Sequence, residues 1–165
     1  MKKRDGTGSG RDRFLLKGAK TNLSRNGTGT VAKALRLIDA NFNRVKEGLR
    51  VCEDILRFVF DERALTARFK TLRHDCSKIL IRFPVAYRHL VQERNSHHDV
   101  GKRGMILEKK KANWSDLLIS NMKRAQESLR VLEESSKIIA SKKSKNFQTL
   151  RFRLYELEKR VLKKF

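Results

Sequence analysis

Three observations predict an all-α protein. Apolar residues recur every three or four positions along most of the chain, no stretch alternates with the two-residue period of a strand, and one fourteen-residue segment occurs twice, eighty residues apart. Together they describe a helical bundle built from a duplicated helical hairpin, with pseudo-twofold symmetry between its halves.

The elements follow in order. Gly6, Gly8, Gly10, Gly18, Gly27 and Gly29 crowd the first thirty residues, whereas Gly48, Gly101 and Gly104 are the others. Residues 1–30 are therefore expected to form a flexible basic arm and 31–165 a single helical domain. Gly6-Thr-Gly-Ser-Gly10 lacks both the Lys-Ser/Thr ending of a phosphate loop and a preceding strand, so it is read as arm. From Val31 to Phe60, Leu35, Ile38, Phe42, Val45, Leu49, Cys52, Leu56 and Val59 form one apolar stripe, with Thr28 or Thr30 as N-cap. A second helix runs from about Ala64 to Ile81 on Leu65, Phe69, Leu72, Cys76 and Leu80, and Pro84 limits it because proline disfavours helix in the residue before it. Tyr87 to Val91 adds a short helix and completes a first half of about 31–91. Residues 92–113 show no period and form one long connection, of the kind that is usually functional or disordered. Helical spacing returns from Ser115, a good N-cap, to Ile139, and again from about Asn146 to Leu162, giving a second half of about 114–165.

The repeat is Asn41-Phe-Asn-Arg-Val-Lys-Glu-Gly-Leu-Arg-Val-Cys-Glu-Asp54 and Asn121-Met-Lys-Arg-Ala-Gln-Glu-Ser-Leu-Arg-Val-Leu-Glu-Glu134, identical at seven of fourteen positions. Arg73 and Arg153 also stand eighty residues apart, in the second helix of each half.

Composition narrows the class. The 165 residues carry 40 Lys plus Arg against 18 Asp plus Glu, a formal charge of +22. That length suits one domain and leaves no room for a second enzyme domain. Nine glycines, two cysteines and no apolar run beyond four residues exclude collagen, a disulfide scaffold and a multipass membrane protein. The basic start leads into Gly, Thr and Ser, so no signal peptide is expected. Cys52 and Cys76 lie in apolar-periodic segments, which indicates two buried thiols and a reducing cytoplasm. The charge points to nucleic acid, an anionic membrane surface or phosphorylated metabolites, or to plain solvation of basic tails.

The repeated polar residues narrow it further. At 100° per residue, Glu47, Arg50, Asp54 and Arg57 lie opposite the apolar stripe, while Asn41 falls within it, flanked by Arg44 and Glu53. Asn121, Arg124 and Glu133 take the same places in the second copy. One reading pairs Arg44 and Glu53 with their repeat mates across the bundle axis. The other makes a phosphate site, because guanidinium forks match phosphoryl oxygens and interleaved carboxylates suit Mg²⁺. Asp99 and Gly101 either close over that cleft or form a surface turn. His74 is a candidate acid or base, against an ordinary hydrogen-bonded histidine, and His97-His98 is a weak zinc signal.

A family likeness rests on these residues. Asp39-Ala-Asn-Phe-Asn-Arg44, Glu47 to Asp54, Leu72-Arg-His74, Asp99-Val-Gly101 and Asn121 to Glu134 resemble the helical domain fused to the N-terminus of some bacterial thiamine phosphate synthases. That domain also occurs alone and resembles the monofunctional hydroxymethylpyrimidine phosphate kinase family of thiamine biosynthesis. The resemblance spans about Leu35 to Leu157 and departs at Lys102, at Lys109 to Lys111 and in the arm. It implies a cytoplasmic kinase using ATP and Mg²⁺, acting on small phosphorylated metabolites, without the synthase barrel or its activity. A thiamine phosphate synthase partner and a homo-oligomer stay open. Arg44, Arg50, Arg124, Arg130 and Asp99 are then the catalytic candidates, and Glu47, Asp54, Glu127 and Glu134 the metal candidates. Asn41, Asn121, Arg73, His74 and Gly101 are the substrate-binding candidates. The rivals are a non-catalytic helical partner of a synthase and a basic nucleic-acid-binding protein. The second draws on Lys159-Arg-Val-Leu-Lys-Lys164 but has no stacking aromatics on a basic face and no helix-turn-helix.

Overall fold

A computed structural model describes residues 27–101 and 113–165. It contains α1 (Gly27–Phe58), α2 (Arg63–Ile81), α3 (Tyr87–Gln92), α4 (Trp114–Ile139) and α5 (Ser141–Leu162), with no strand among the described residues. The all-α expectation holds. Most of the arm and residues 102–112 of the long connection, with the Gly6–Gly10 stretch and Lys109 to Lys111, lie outside the described residues.

The four long helices pack as a ring, with α1 beside α2 and α4, and α5 beside α2 and α4. Every neighbouring pair runs antiparallel. Arg73 of α2 meets Glu53 of α1, Arg151 of α5 meets Glu133 of α4, and Arg153 of α5 meets Asp75 of α2 while Lys164, beyond its end, meets Glu62. α2 and α4 therefore point the same way, so the chain must recross the length of the bundle between them, and α3 packs on α1 along that crossing.

One core draws on all five helices. Ile38, Val45, Leu49 and Cys52 of α1, Phe69 of α2, Leu90 of α3, Met122, Leu129 and Leu132 of α4, and Phe147 and Leu154 of α5 are wholly buried. Phe42 ties the halves together, meeting Phe147 edge-on at 5.4 Å and Phe83 at 6.3 Å between ring centres.

The structure moves several element boundaries. α1 begins at Gly27, so Thr28 and Thr30 lie inside the helix rather than capping it, and the arm loses its last four residues. Nothing lies within 4 Å of a Cβ built on Gly29, so this turn winds without obstruction ahead of the packed stripe. α1 ends at Phe58, which leaves Val59 at the surface. α4 is capped by Asn113, not Ser115: the Asp116 amide donates to Asn113 Oδ1 at 2.8 Å, and Asp116 adds a favourable charge in the first turn. α5 begins at Ser141 rather than near Asn146. Its first turn is polar and shows no apolar period, yet Ser144 Oγ donates to the Glu133 carbonyl and docks it against α4.

Candidate functional site

The seam between α1 and α4 holds both copies of the repeated segment. A Cβ on Gly48 would lie 2.9 Å from the Asn121 carbonyl oxygen and 3.4 Å from Ala125 Cβ, and one turn on Cys52 Sγ donates to the Leu118 carbonyl at 3.6 Å. Glycine is thus what lets the two backbones touch. The same contacts fix the register, in which Arg44 and Glu47 on α1 stand level with Glu127 and Arg124 on α4. Arg44, Glu47, Arg124 and Glu127 are all exposed.

The outer members of the set are engaged within the protein. Arg130 donates to Glu133 and also meets Glu134, each at 2.9 Å, and Lys137 meets Glu134 at 2.7 Å. The Lys137 hydrogen bonds, aided by the charge of Arg130, hold the Glu134 carboxyl below its ordinary range. Arg50 approaches Glu53 at 3.7 Å, and Asp54 is half-buried. Among the described residues no three His, Cys, Asp or Glu side chains converge as a metal-binding group.

The two asparagines turn inward. Asn41 and Asn121 each donate a side-chain N–H to the carbonyl one turn back, Leu37 at 2.9 Å and Leu117 at 2.8 Å. Their matched bonds satisfy an amide near the core, so these two substrate-binding candidates make structural hydrogen bonds.

Glu53 and Glu133 are the buried carboxylates of the repeat, and neither pairs with Arg44 or its mate across the axis. Glu53 receives two hydrogen bonds from Arg73, the shorter at 2.8 Å; Glu133 receives Arg151 Nε at 2.9 Å. Arg73, a substrate-binding candidate, is therefore a core partner. Its counterpart is Arg151, while Arg153 reaches the half-exposed Asp75. The signal was present in the sequence: Phe69-Lys-Thr-Leu-Arg73 recurs as Phe147-Gln-Thr-Leu-Arg151 at a spacing of 78, two short of the first-helix spacing.

Sequence reasoning also missed the Asp39–Arg94 pair. Asp39 is 3% exposed, and Arg94 binds it through Nε at 2.5 Å and a terminal nitrogen at 2.9 Å. Asp39 lies one residue past Ile38 on the apolar stripe, and a charge there demands a partner. Beside it Arg36 donates to the Asn95 carbonyl, so α1 pins the start of the long connection. Further along, the Gly101 amide donates to Asp99 Oδ1 at 3.0 Å, the surface-turn alternative, with both residues exposed. His74 is exposed on α2, and the exposed His98 ring meets Asn95 Oδ1. Both thiols are free and buried, as expected. Burial pushes Cys76 up to about 12 and Cys52 higher still.

Residues 36–160, from the first turns of α1 to the last of α5, match the ThiD2 family. The thiamine-phosphate synthase of Prochlorococcus marinus subsp. pastoris is 38% identical over 128 residues, covering 77% of this chain and 35% of its own length. Those of Rhodopirellula baltica and Thermosynechococcus vestitus are each 34% identical, over 73% and 74% of this chain and 32% and 34% of theirs. The chain thus spans about a third of the length of these curated relatives. No solved structure gives a significant match. Because the matched region contains both copies of the repeated segment and the helices that hold them, the chain belongs to the ThiD2 family.

Proposed function

We propose that the protein is a kinase of thiamine biosynthesis that transfers the γ-phosphoryl group of ATP to hydroxymethylpyrimidine phosphate, giving the diphosphate that a thiamine phosphate synthase consumes. The observation that carries this reading is the repeated arginine set on adjoining antiparallel helices, with Arg44 and Arg124 exposed near the middle of the seam. The kinship with a segment of thiamine-phosphate synthases supports it.

The reaction suits such a surface. A phosphate monoester already presents an anionic oxygen, so little help from a base is needed, and the main task is to bring two polyanions into line. In this reading Arg44 and Arg124 neutralise and orient the phosphates, with Arg50 and Arg130 beside them. Mg²⁺, when bound, would supply positive charge to the phosphates and needs only one or two protein carboxylates. The exposed Glu47 and Glu127 fit a metal that arrives with the nucleotide.

A second reading, a helical partner without turnover of its own, is favoured by the engagement of Arg130 with Glu133 and Glu134. One assay separates the two: purified protein with MgATP and hydroxymethylpyrimidine phosphate, followed for the diphosphate. Formation of the diphosphate supports the kinase. No product, with the helical spectrum intact, sinks it.

A further inference from the structure

On the opposite side of the ring from the α1–α4 seam, α2 and α5 enclose an open groove of about 890 Å³. Its size falls in the range of small-molecule sites. Ala64 and Ala67 keep its α2 wall low, and Phe152 of α5 stands 54% exposed at one end.

The charges are ordered along it. The Asp75–Arg153 and Glu62–Lys164 pairs set the antiparallel register, which brings Arg68 of α2 level with Arg160 of α5. Both arginines line the groove, both are exposed, and neither has an ion pair among the described residues. Phe152 lies eight residues before Arg160, about 12 Å along the helix. Glu156 stands midway between them on the groove wall. A bare inorganic anion would use the arginines alone and meet the Glu156 carboxylate as a repulsion. A ligand with an aromatic ring at one end, hydroxyls in the middle and phosphates at the other would use all four side chains.

We propose that the α2–α5 groove is a binding site for a nucleoside di- or triphosphate. The base packs on Phe152, the ribose hydroxyls donate to Glu156, and the polyphosphate lies between Arg68 and Arg160. Asp75, already paired with Arg153, closes the Phe152 end to further anions. This site is separate from the α1–α4 arginines and stands whether or not the kinase reading does.

The test is calorimetric titration of the full chain with ADP and with a non-hydrolysable ATP analogue, using tripolyphosphate as a second probe. An Arg68→Ala/Arg160→Ala double variant should bind nucleotide at least about tenfold more weakly. Phe152→Ala should weaken nucleotide but not tripolyphosphate. Lys142→Ala/Lys145→Ala, which removes two exposed charges outside the groove, should bind as the parent does. Undiminished nucleotide binding in the arginine double variant overturns the proposal, as does an equal loss in the lysine variant or no nucleotide binding by the parent. Diphosphate formation in the turnover assay is scored separately, so a failure of one reading is not a failure of the other.

Discussion

Gly48 shows how one side chain sets the α1–α4 distance. In an unencumbered helix, Gly→Ala stabilises by about 1 kcal/mol because alanine has less backbone freedom to lose. Here the new methyl would sit 2.9 Å from a backbone carbonyl, which cannot swing away as a side chain tip can. Gly48→Ala is therefore expected to destabilise by about 1–3 kcal/mol in urea denaturation. A gain in stability would show that the helices can separate freely. The thiols give a second test at this scale. Burial pushes both thiols well above their ordinary range, so the reactive thiolate is scarce at pH 8. Ellman's reagent should therefore titrate neither cysteine in the folded protein and both after unfolding in guanidinium. Rapid reaction of either in the native state would place it at the surface.

Between elements, the buried pairs separate structural from exposed arginines. Glu53 and Glu133 are almost wholly enclosed, and each is neutralised by an arginine of the next helix. Arg73→Ala leaves Glu53 with the longer Arg50 contact at 3.7 Å and should cost about 3–5 kcal/mol, whereas Arg151→Ala leaves Arg130 on Glu133 at 2.9 Å and should cost less. Arg153→Ala should cost less than about 1 kcal/mol, because its pair with Asp75 is exposed. Burial alone would raise the Asp75 carboxyl, but hydrogen bonds from Arg153 and Lys78 outweigh it and hold the group below its usual 3.8. A lowered carboxyl stabilises above its unfolded pKa and loses that contribution as pH falls through the folded one. The small Arg153→Ala deficit should thus be present at neutral pH and vanish in acid below pH 3.8. Equal costs for Arg73 and Arg153 at pH 7 would contradict the assigned pairing. The sequence made the helices legible through their apolar stripes, and the repeat in α1 and α4 through seven identities. It misled on the counterpart of Arg73, which is Arg151 and not Arg153, because the first-helix spacing of eighty was carried into α5. A single residue, Ala140, joins α4 to α5, whereas four join α1 to α2, so no one spacing spans both helices. Polar first turns, as in α5, carry no period and stayed invisible. So did the Asp39–Arg94 pair, which joins residues 55 positions apart.

For the molecule as a whole, the net charge separates into parts with different tests. Residues 1–26 hold eight Lys and Arg against two Asp, so most of the +22 belongs to the rest of the chain. There, Glu53, Glu133 and Asp39 hold Arg73, Arg151 and Arg94 in pairs with a buried carboxylate, and Arg44 and Arg124 are exposed at the seam. If those two serve phosphoryl transfer, Arg44→Ala and Arg124→Ala should each lower turnover by about a hundredfold or more, the scale of losing one preorganised charge contact in a transition state. Both positions are exposed on regular helix, where a surface contact contributes little, so each substitution should move stability by no more than about 1 kcal/mol. A nucleic-acid role predicts otherwise: either change would shift affinity only modestly, the salt dependence would be steep, and ATP would be irrelevant. Parallel measurement of diphosphate formation and urea midpoint in the two variants decides between them. Loss of turnover at constant midpoint assigns the seam to catalysis, whereas unchanged turnover in both variants removes Arg44 and Arg124 from the site.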